Sequence, residues 1–293
     1  MNNEDKIVKL KLDVIFKRVF GDENDTDIIA AFVSALLDIP QESIKNIYIR
    51  NTELTPEYFK LKFGRLDLKL EVDGKIVNIE MQVNAEPDFK DRTLFYWSKM
   101  FSGGLKDGDM YDSLKKTICI NIINFNLFKD RKDYHSCYVP MEVKHHDILS
   151  DKAAIHFFEL RKVNKARQHK PVEDWLDLIN AETVGDLMAI QEETKIPEVK
   201  KTIVKLITLS GDEKVREEAY YREKQLHDEA SALGQARREG RAEGRAEGRA
   251  EGRAEGRAEG RAEGRVEERA YLIERMRKSG ISEDQVKRVL GES

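Results

Sequence analysis

The chain has 293 residues, with 51 Lys and Arg against 55 Asp and Glu, a net charge of −4. Its longest charge-free apolar stretch, Ile118 to Phe128, falls far short of the ~20 residues that cross a bilayer, which excludes a helical membrane span. Divided after Gly234, the first part holds 36 basic and 42 acidic residues and the remainder 15 and 13, so any contact with nucleic acid must come from a local basic patch.

The N-terminal run MNNEDKIVKLK alternates charged and apolar residues and has no uninterrupted secretory core. Cys119 and Cys137 allow at most one bridge and read as buried free thiols, so a cytoplasmic protein is expected. From Leu12 to Leu37 the pattern predicts two helices. Leu12, Ile15, Phe16, Val19 and Phe20 share one face, Gly21-Asp22 interrupts, and Asp27 is placed to cap the second helix. Ile44 to Ile49 shifts toward a strand.

Gly64 to Val83 is the most informative segment. Leu66, Leu68, Leu70 and Val72 alternate with polar residues, as do Val77, Ile79, Met81 and Val83 on the far side of Asp73-Gly74. Two alternating runs around Asp-Gly predict a tight hairpin. A two-residue turn sets Val72 against Lys75, Lys69 against Asn78, Asp67 against Glu80 and Arg65 against Gln82. Opposed Cβ atoms lie roughly 4.5–5.5 Å apart. Two carboxylates that close repel, and one stays protonated unless a cation neutralises both. Hard oxygen donors of this kind suit Mg²⁺. A solvated face of an ordinary hairpin has the same alternation.

Asp88 to Gly104 predicts a helix ended by Gly103-Gly104, and Thr117 to Asn124 a strand buried on both faces. Strand, helix and buried strand make a crossover unit. Short strands are expected at Tyr134 to Val139 and Ala154 to Leu160. From Pro171 to about Leu233 the pattern is helical, with Pro197 opening one helix and Gly211 closing it. The expectation is an α/β core followed by a helical appendage.

Asp67, a short hairpin, then Glu80-x-Gln82 resembles the PD-(D/E)xK nuclease motif, and the chain more narrowly resembles the Rpn family of recombination-promoting nucleases, also described as transposases. DVIFKRVFG (Asp13 to Gly21) is similar to that family's opening helix. IEMQ with Arg92 and Tyr96-Trp97 is similar to its strand-then-helix signature. Gly108, Met110 and Tyr111, FFELRKV (Phe157 to Val163) and a tail of EGR-type repeats fit as well. The resemblance implies a restriction-endonuclease-like fold, a mixed sheet flanked by helices, and a metal-dependent endonuclease acting on DNA. Asp67 and Glu80 are then metal ligands, with the Met81 carbonyl a further ligand and Asp13 a candidate third carboxylate for which a cap or salt bridge is the competing role. Mg²⁺ is the expected cofactor, with Mn²⁺ able to substitute. Gln82 stands where the broader superfamily usually has lysine; an amide orients water but brings no positive charge. A DNA-binding or regulatory protein with a weak or silent site is the alternative, as is a protein whose repeat tail mediates assembly.

Arg92, one turn into the helix, and Tyr96 are candidates to hold a phosphate, although Arg92 can equally pair with Asp88. Lys60, Lys62, Arg65 and Lys69 form the densest basic cluster near the hairpin. Lys115-Lys116 and Lys129, Arg131 and Lys132 are second candidates. His135, His145, His146 and His156 with Asp147 match no standard zinc spacing.

Gly240 to Glu263 is six copies of Gly-Arg-Ala-Glu, with GRVE an imperfect seventh. On a helix, like charges fall at i, i+4, and seven glycines cost roughly 7 kcal/mol relative to alanine. A fraying helix, a disordered tether and a helix held by glycine packing between chains all remain open, the last giving a homo-oligomer. Further on, Gly280 is placed to end a helix and Ser282-x-x-Gln285 to open another as a capping box. The expected divisions are 1–165 for the nuclease-like domain, 166–234 for the helical appendage, 235–268 for the repeats and 269–293 for the terminal helices.

Overall fold

The computed structural model describes residues 6–50, 67–105, 108–165, 170–283 and 285–286. Helix α1 (Asp13–Phe20) buries Ile15, Phe16, Val19 and Phe20 at the predicted spacing. Gly21 stops it: a Cβ there would lie 2.5 Å from the Lys17 carbonyl oxygen, which accepts the Gly21 N–H. Helix α2 (Thr26–Leu37) begins two residues earlier than expected, with Asp25 at its N-cap position. Asp27 therefore lies in its first turn rather than capping it, and binds Lys201 Nζ at 2.9 Å. Strand β1 (Ile47–Arg50) follows.

The hairpin joins β2 (Leu68–Val72) to β3 (Lys75–Gln82). Asp73 and Gly74 have φ of 47° and 77°, both positive as a type I′ turn requires. Val72 faces Lys75, Lys69 faces Asn78 and Leu68 faces Ile79, the register expected from the two-residue turn. Helix α3 (Phe89–Ser102) then leads to β4 (Thr117–Ile123), which runs parallel to β3 with all seven residues buried. Strand β5 (His135–Tyr138) lies antiparallel to β6 (Ala153–Glu159), itself parallel to β4. The order across the sheet is β1-β2-β3-β4-β6-β5.

Because side chains alternate, the sheet has two different faces. Leu68, Leu70, Val77, Ile79, Ile120, Ile122 and Phe158 join the main core with α1 and α2. Helices α4 (Pro171–Asn180), α5 (Val184–Glu193) and α6 (Pro197–Gly211) share that core, so this helical stretch packs on the sheet. Phe20 stacks on Phe32 at 4.4 Å and Phe32 tilts against Trp175 at 5.2 Å. Each such buried phenylalanine contributes about 1.5–3 kcal/mol from area alone. The opposite face packs Phe89 and Met100 of α3 against Cys119, Ile123 and Phe157. This is a restriction-endonuclease-like α/β fold, a mixed sheet flanked by helices and followed by a long C-terminal helix.

That helix, α7 (Glu213–Lys278), crosses the boundary between two compact units, Met1–Asp228 and Glu229–Ser293. Within the first unit α7 buries Val215 and Ala219 and pairs Glu218 with Arg18. Within the second, the Gly-Arg-Ala-Glu repeats are helical and exposed, and a Cβ on any of their glycines would meet nothing within 4 Å. Gly280, at φ 82°, follows the helix end, and Gln285 Oε1 accepts the Ser282 N–H at 3.2 Å. Among the described residues, no helix is long and apolar enough to cross a membrane.

Candidate active site

The polar side of the hairpin lies on the α3 face of the sheet. Asp67 precedes β2 by one residue, and continuing the observed register sets it opposite Glu80. Its Oδ2 accepts the Met81 backbone N–H at 2.9 Å and its Oδ1 lies 3.0 Å from Lys17 Nζ. Among the described residues Glu80 has one modest partner, Asn78 Nδ2 at 3.3 Å, and Asn78 Oδ1 is itself buried without one.

Burial and mutual repulsion set the protonation of this pair. Glu80 is pushed up to about 7, chiefly by burial and then by the Asp67 charge, with Arg92 and Asn78 opposing. Burial also raises Asp67, against the pull of Lys17 and the Met81 N–H. Two acids in one poorly solvated place cannot both ionise cheaply.

Lys17 is the residue that sequence reasoning missed. It follows Asp13 by four positions, which puts both on one flank of α1. That spacing was the available signal, and nothing in it pointed to residue 67, 50 positions on.

Arg92 lies where the hairpin meets α3, but not in the pairing considered with Asp88. It forms an ion pair with Glu86 and donates Nη2–H to Gln82 Oε1 at 2.8 Å. Gln82 Nε2 in turn donates to the Asn84 carbonyl at 3.0 Å and to Glu86 Oε1 at 3.1 Å. The amide is thus held on both sides, and Arg92 Nε is buried with no partner among the described residues. Burial raises the Tyr96 hydroxyl, and the charges of Arg92, Glu80 and Glu86 also act on it, so Tyr96 shares the site's electrostatic surroundings.

Other candidates stand apart. Asp13 binds Arg222 Nε of α7 at 2.6 Å, the salt-bridge role. Among the described residues it does not join Asp67 and Glu80 in a three-ligand cluster. Lys69 is half-buried on β2, one step from the pair along the same face. Arg65, Lys60 and Lys62 lie outside the described residues. Lys115 is taken up by Glu71 at 3.0 Å, and Arg131 packs over Phe128 and Tyr138. Glu159 and Lys162 of the FFELRKV segment are buried together at 2.6 Å, and Glu159 accepts the Leu127 and Phe128 N–H groups, a structural staple. His145 joins Glu142 and Asp147 in an exposed group, where Glu142 also accepts the Lys144 N–H and so shapes its own turn.

The family of PD-(D/E)XK nuclease family transposases matches residues 10–236, most of the chain. The chain belongs to that family. No curated protein and no solved structure matches it. This PD-(D/E)XK protein is accordingly a nuclease-class hydrolase, whose domain takes DNA as substrate, and PD-(D/E)XK nucleases generally use divalent metal ions.

The residues present fit such an ion. Asp67 and Glu80 are adjacent oxygen donors, Glu80 with only a long hydrogen bond from Asn78, and among the described residues the buried Asn78 Oδ1 has no partner.

Proposed function

We propose that this family member is a Mg²⁺-dependent DNA endonuclease, with Mn²⁺ able to substitute, and that Asp67 and Glu80 hold the ion together with the Met81 carbonyl. The observation that carries this reading is the placing of Glu80, a half-buried acid opposite Asp67 with one long hydrogen bond, its carboxyl pushed up to about 7. Such a pair is costly alone and favourable around a cation. A bound Mg²⁺ would supply Lewis-acid charge for the entering and leaving oxygens of the phosphodiester.

The chain's own groups do the rest. Lys17 brings positive charge to the Asp67 side. Gln82 and Glu86 hold the Arg92 guanidinium at the head of α3, and in this reading it and Tyr96 would meet a phosphate. Lys69 and Arg65 would extend contact along the hairpin. Near neutral pH Glu80 must give up its proton as the cation binds, so metal affinity rises as pH climbs through 7. The link to recombination or transposition, and the narrower Rpn-like character, belong to the same proposal.

Nicking of supercoiled plasmid with Mg²⁺ tests it, comparing the parent with Asp67→Ala and Glu80→Ala. Loss of nicking in both variants is expected, and equal activity in all three proteins would sink the assignment. A second reading, a DNA-binding or regulatory protein with a weak site, is favoured by one feature. The Gln82 amide is fully occupied by Arg92, Asn84 and Glu86 and carries no charge. It predicts retained plasmid binding without nicking in the parent.

A further inference from the structure

Strand β5 is the outer strand beside β6, and the two strands bring two histidines and a cysteine together on the sheet face opposite Glu80. Cys137 opposes His156, and His135 opposes Phe158, so all four share one face. The Glu159 N–H donates to the Tyr134 carbonyl at 2.7 Å, which fixes the ladder's alternation and makes Cys137 and His156 a non-hydrogen-bonded pair. Side chains approach most closely in such pairs.

Cys137 Sγ lies 3.5 Å from His156 Nε2, and His156 Nδ1 lies 3.0 Å from His135 Nε2. The two imidazole rings are 9° from parallel with centroids 5.3 Å apart, so they meet edge to edge. His135 is held in that plane by Phe158, stacked at 4.3 Å.

We propose that Cys137 and His156 are a two-donor site for a transition-metal ion of the Zn²⁺ class, with His135 as the positioning residue. Three arguments meet here. Donors at about 2.3 Å (sulfur) and 2.0–2.1 Å (nitrogen) around a tetrahedral ion lie about 3.5 Å apart, the separation present without any movement. A ligating histidine needs its other nitrogen engaged, and donation from His156 Nδ1–H to His135 Nε2 leaves the Nε2 lone pair facing the sulfur. A thiolate and an imidazole select Zn²⁺, Co²⁺ or Ni²⁺ over Mg²⁺, so this site and the carboxylate pair take different ions.

The surroundings allow access. Cys137 is exposed, while the second thiol, Cys119, is buried on the other face. Burial holds both imidazoles below the ordinary histidine range, in the neutral ligating form, helped at His156 by His135 and then Lys116, and at His135 by Lys170 against Asp38. Those lysines also repel a cation. The Cys137 proton leaves to solvent on binding, and the resulting thiolate offsets that repulsion.

Co²⁺ titrated into the full-length protein reads the site directly, because a thiolate ligand gives a sulfur-to-cobalt charge-transfer absorption that carboxylates and imidazoles do not. The band is expected to saturate at one equivalent and to vanish in Cys137→Ser and in His156→Gln. His135→Ala should keep the band while weakening affinity about 10–100-fold. His145→Ala, in the exposed Glu142 group, should change nothing. Absence of the band in the parent overturns the proposal, as does its persistence at parental affinity in either Cys137→Ser or His156→Gln. Circular dichroism on each variant separates loss of the site from loss of the fold.

Discussion

Replacing Glu80 by glutamine should stabilise the metal-free protein at pH 8 while removing its nuclease activity. The folded chain holds the Glu80 proton more tightly than the unfolded chain, with the carboxyl raised from 4.5 to about 7. Its contribution to stability is therefore greatest below 4.5 and is lost as pH rises through 7. At about 1.4 kcal/mol for each tenfold change in proton affinity, the loss is at most about 3–4 kcal/mol. Glu80 keeps partial contact with water, so about 1–3 kcal/mol is the expected gain for the amide. For a unit of this size that is roughly 2–4 °C in melting temperature per kcal/mol. Urea unfolding in chelator at pH 5 and pH 8 measures it. His156, lowered to about 4, gains stability as pH rises to 6.5, the opposite sign, so only the difference between variant and parent isolates Glu80. If that difference is no larger at pH 8 than at pH 5, the electrostatic account is wrong. Added Mg²⁺ should raise the parent's stability and leave Glu80→Gln almost unmoved.

Lys17→Met should lower plasmid nicking by at least tenfold while tightening Mg²⁺ binding several-fold by calorimetry, because it removes a cation that competes for Asp67 3.0 Å away. Weaker metal binding in that variant would contradict the competition. Gly74→Ala has room for its methyl group but imposes φ +77° on an alanine, so it should cost about 1 kcal/mol in chemical denaturation with activity retained. A neutral result would mean that the hairpin register does not depend on the type I′ turn.

What the sequence disclosed follows from which interactions are local. The hairpin register was legible because the Asp73-Gly74 turn and strict alternation fix it over 15 residues, and β4 was legible because a strand buried on both faces leaves a run such as ICINII. Lys17 was not legible. Its partner Asp67 is brought to it by the packing of α1 near the hairpin, which no periodicity encodes. The Asp88 alternative for Arg92 shows the limit of the i, i+4 rule, since the residues before α3 bring Glu86 and Gln82 to the guanidinium instead. Asp13 shows the same limit, since Arg222 lies 209 residues away. The Cys137–His156 pair was also hidden, because His156 and Cys137 meet only through the β5–β6 register, with ordinary zinc spacings giving no hint.

The repeat segment is where local rules and observed structure disagree most, and the disagreement can be tested. Glycine at every fourth position costs about 1 kcal/mol each, and the like charges at i, i+4 add to it. The segment is nevertheless helical, with nothing within 4 Å of any glycine's missing Cβ. Four residues turn a helix by 400°, so the glycines from 240 to 264 wind about 240° around it and cannot line one flat seam. If the helix stands without a neighbour on its glycines, changing all seven to alanine should raise its helicity and its melting temperature, measured on the full-length protein by ellipticity at 222 nm. If glycine-to-backbone packing between chains supports it, the added methyl groups should instead lower both and reduce the mass in solution. The winding of the glycines around the helix favours the first outcome, and a loss of ellipticity with a fall in mass would refute it.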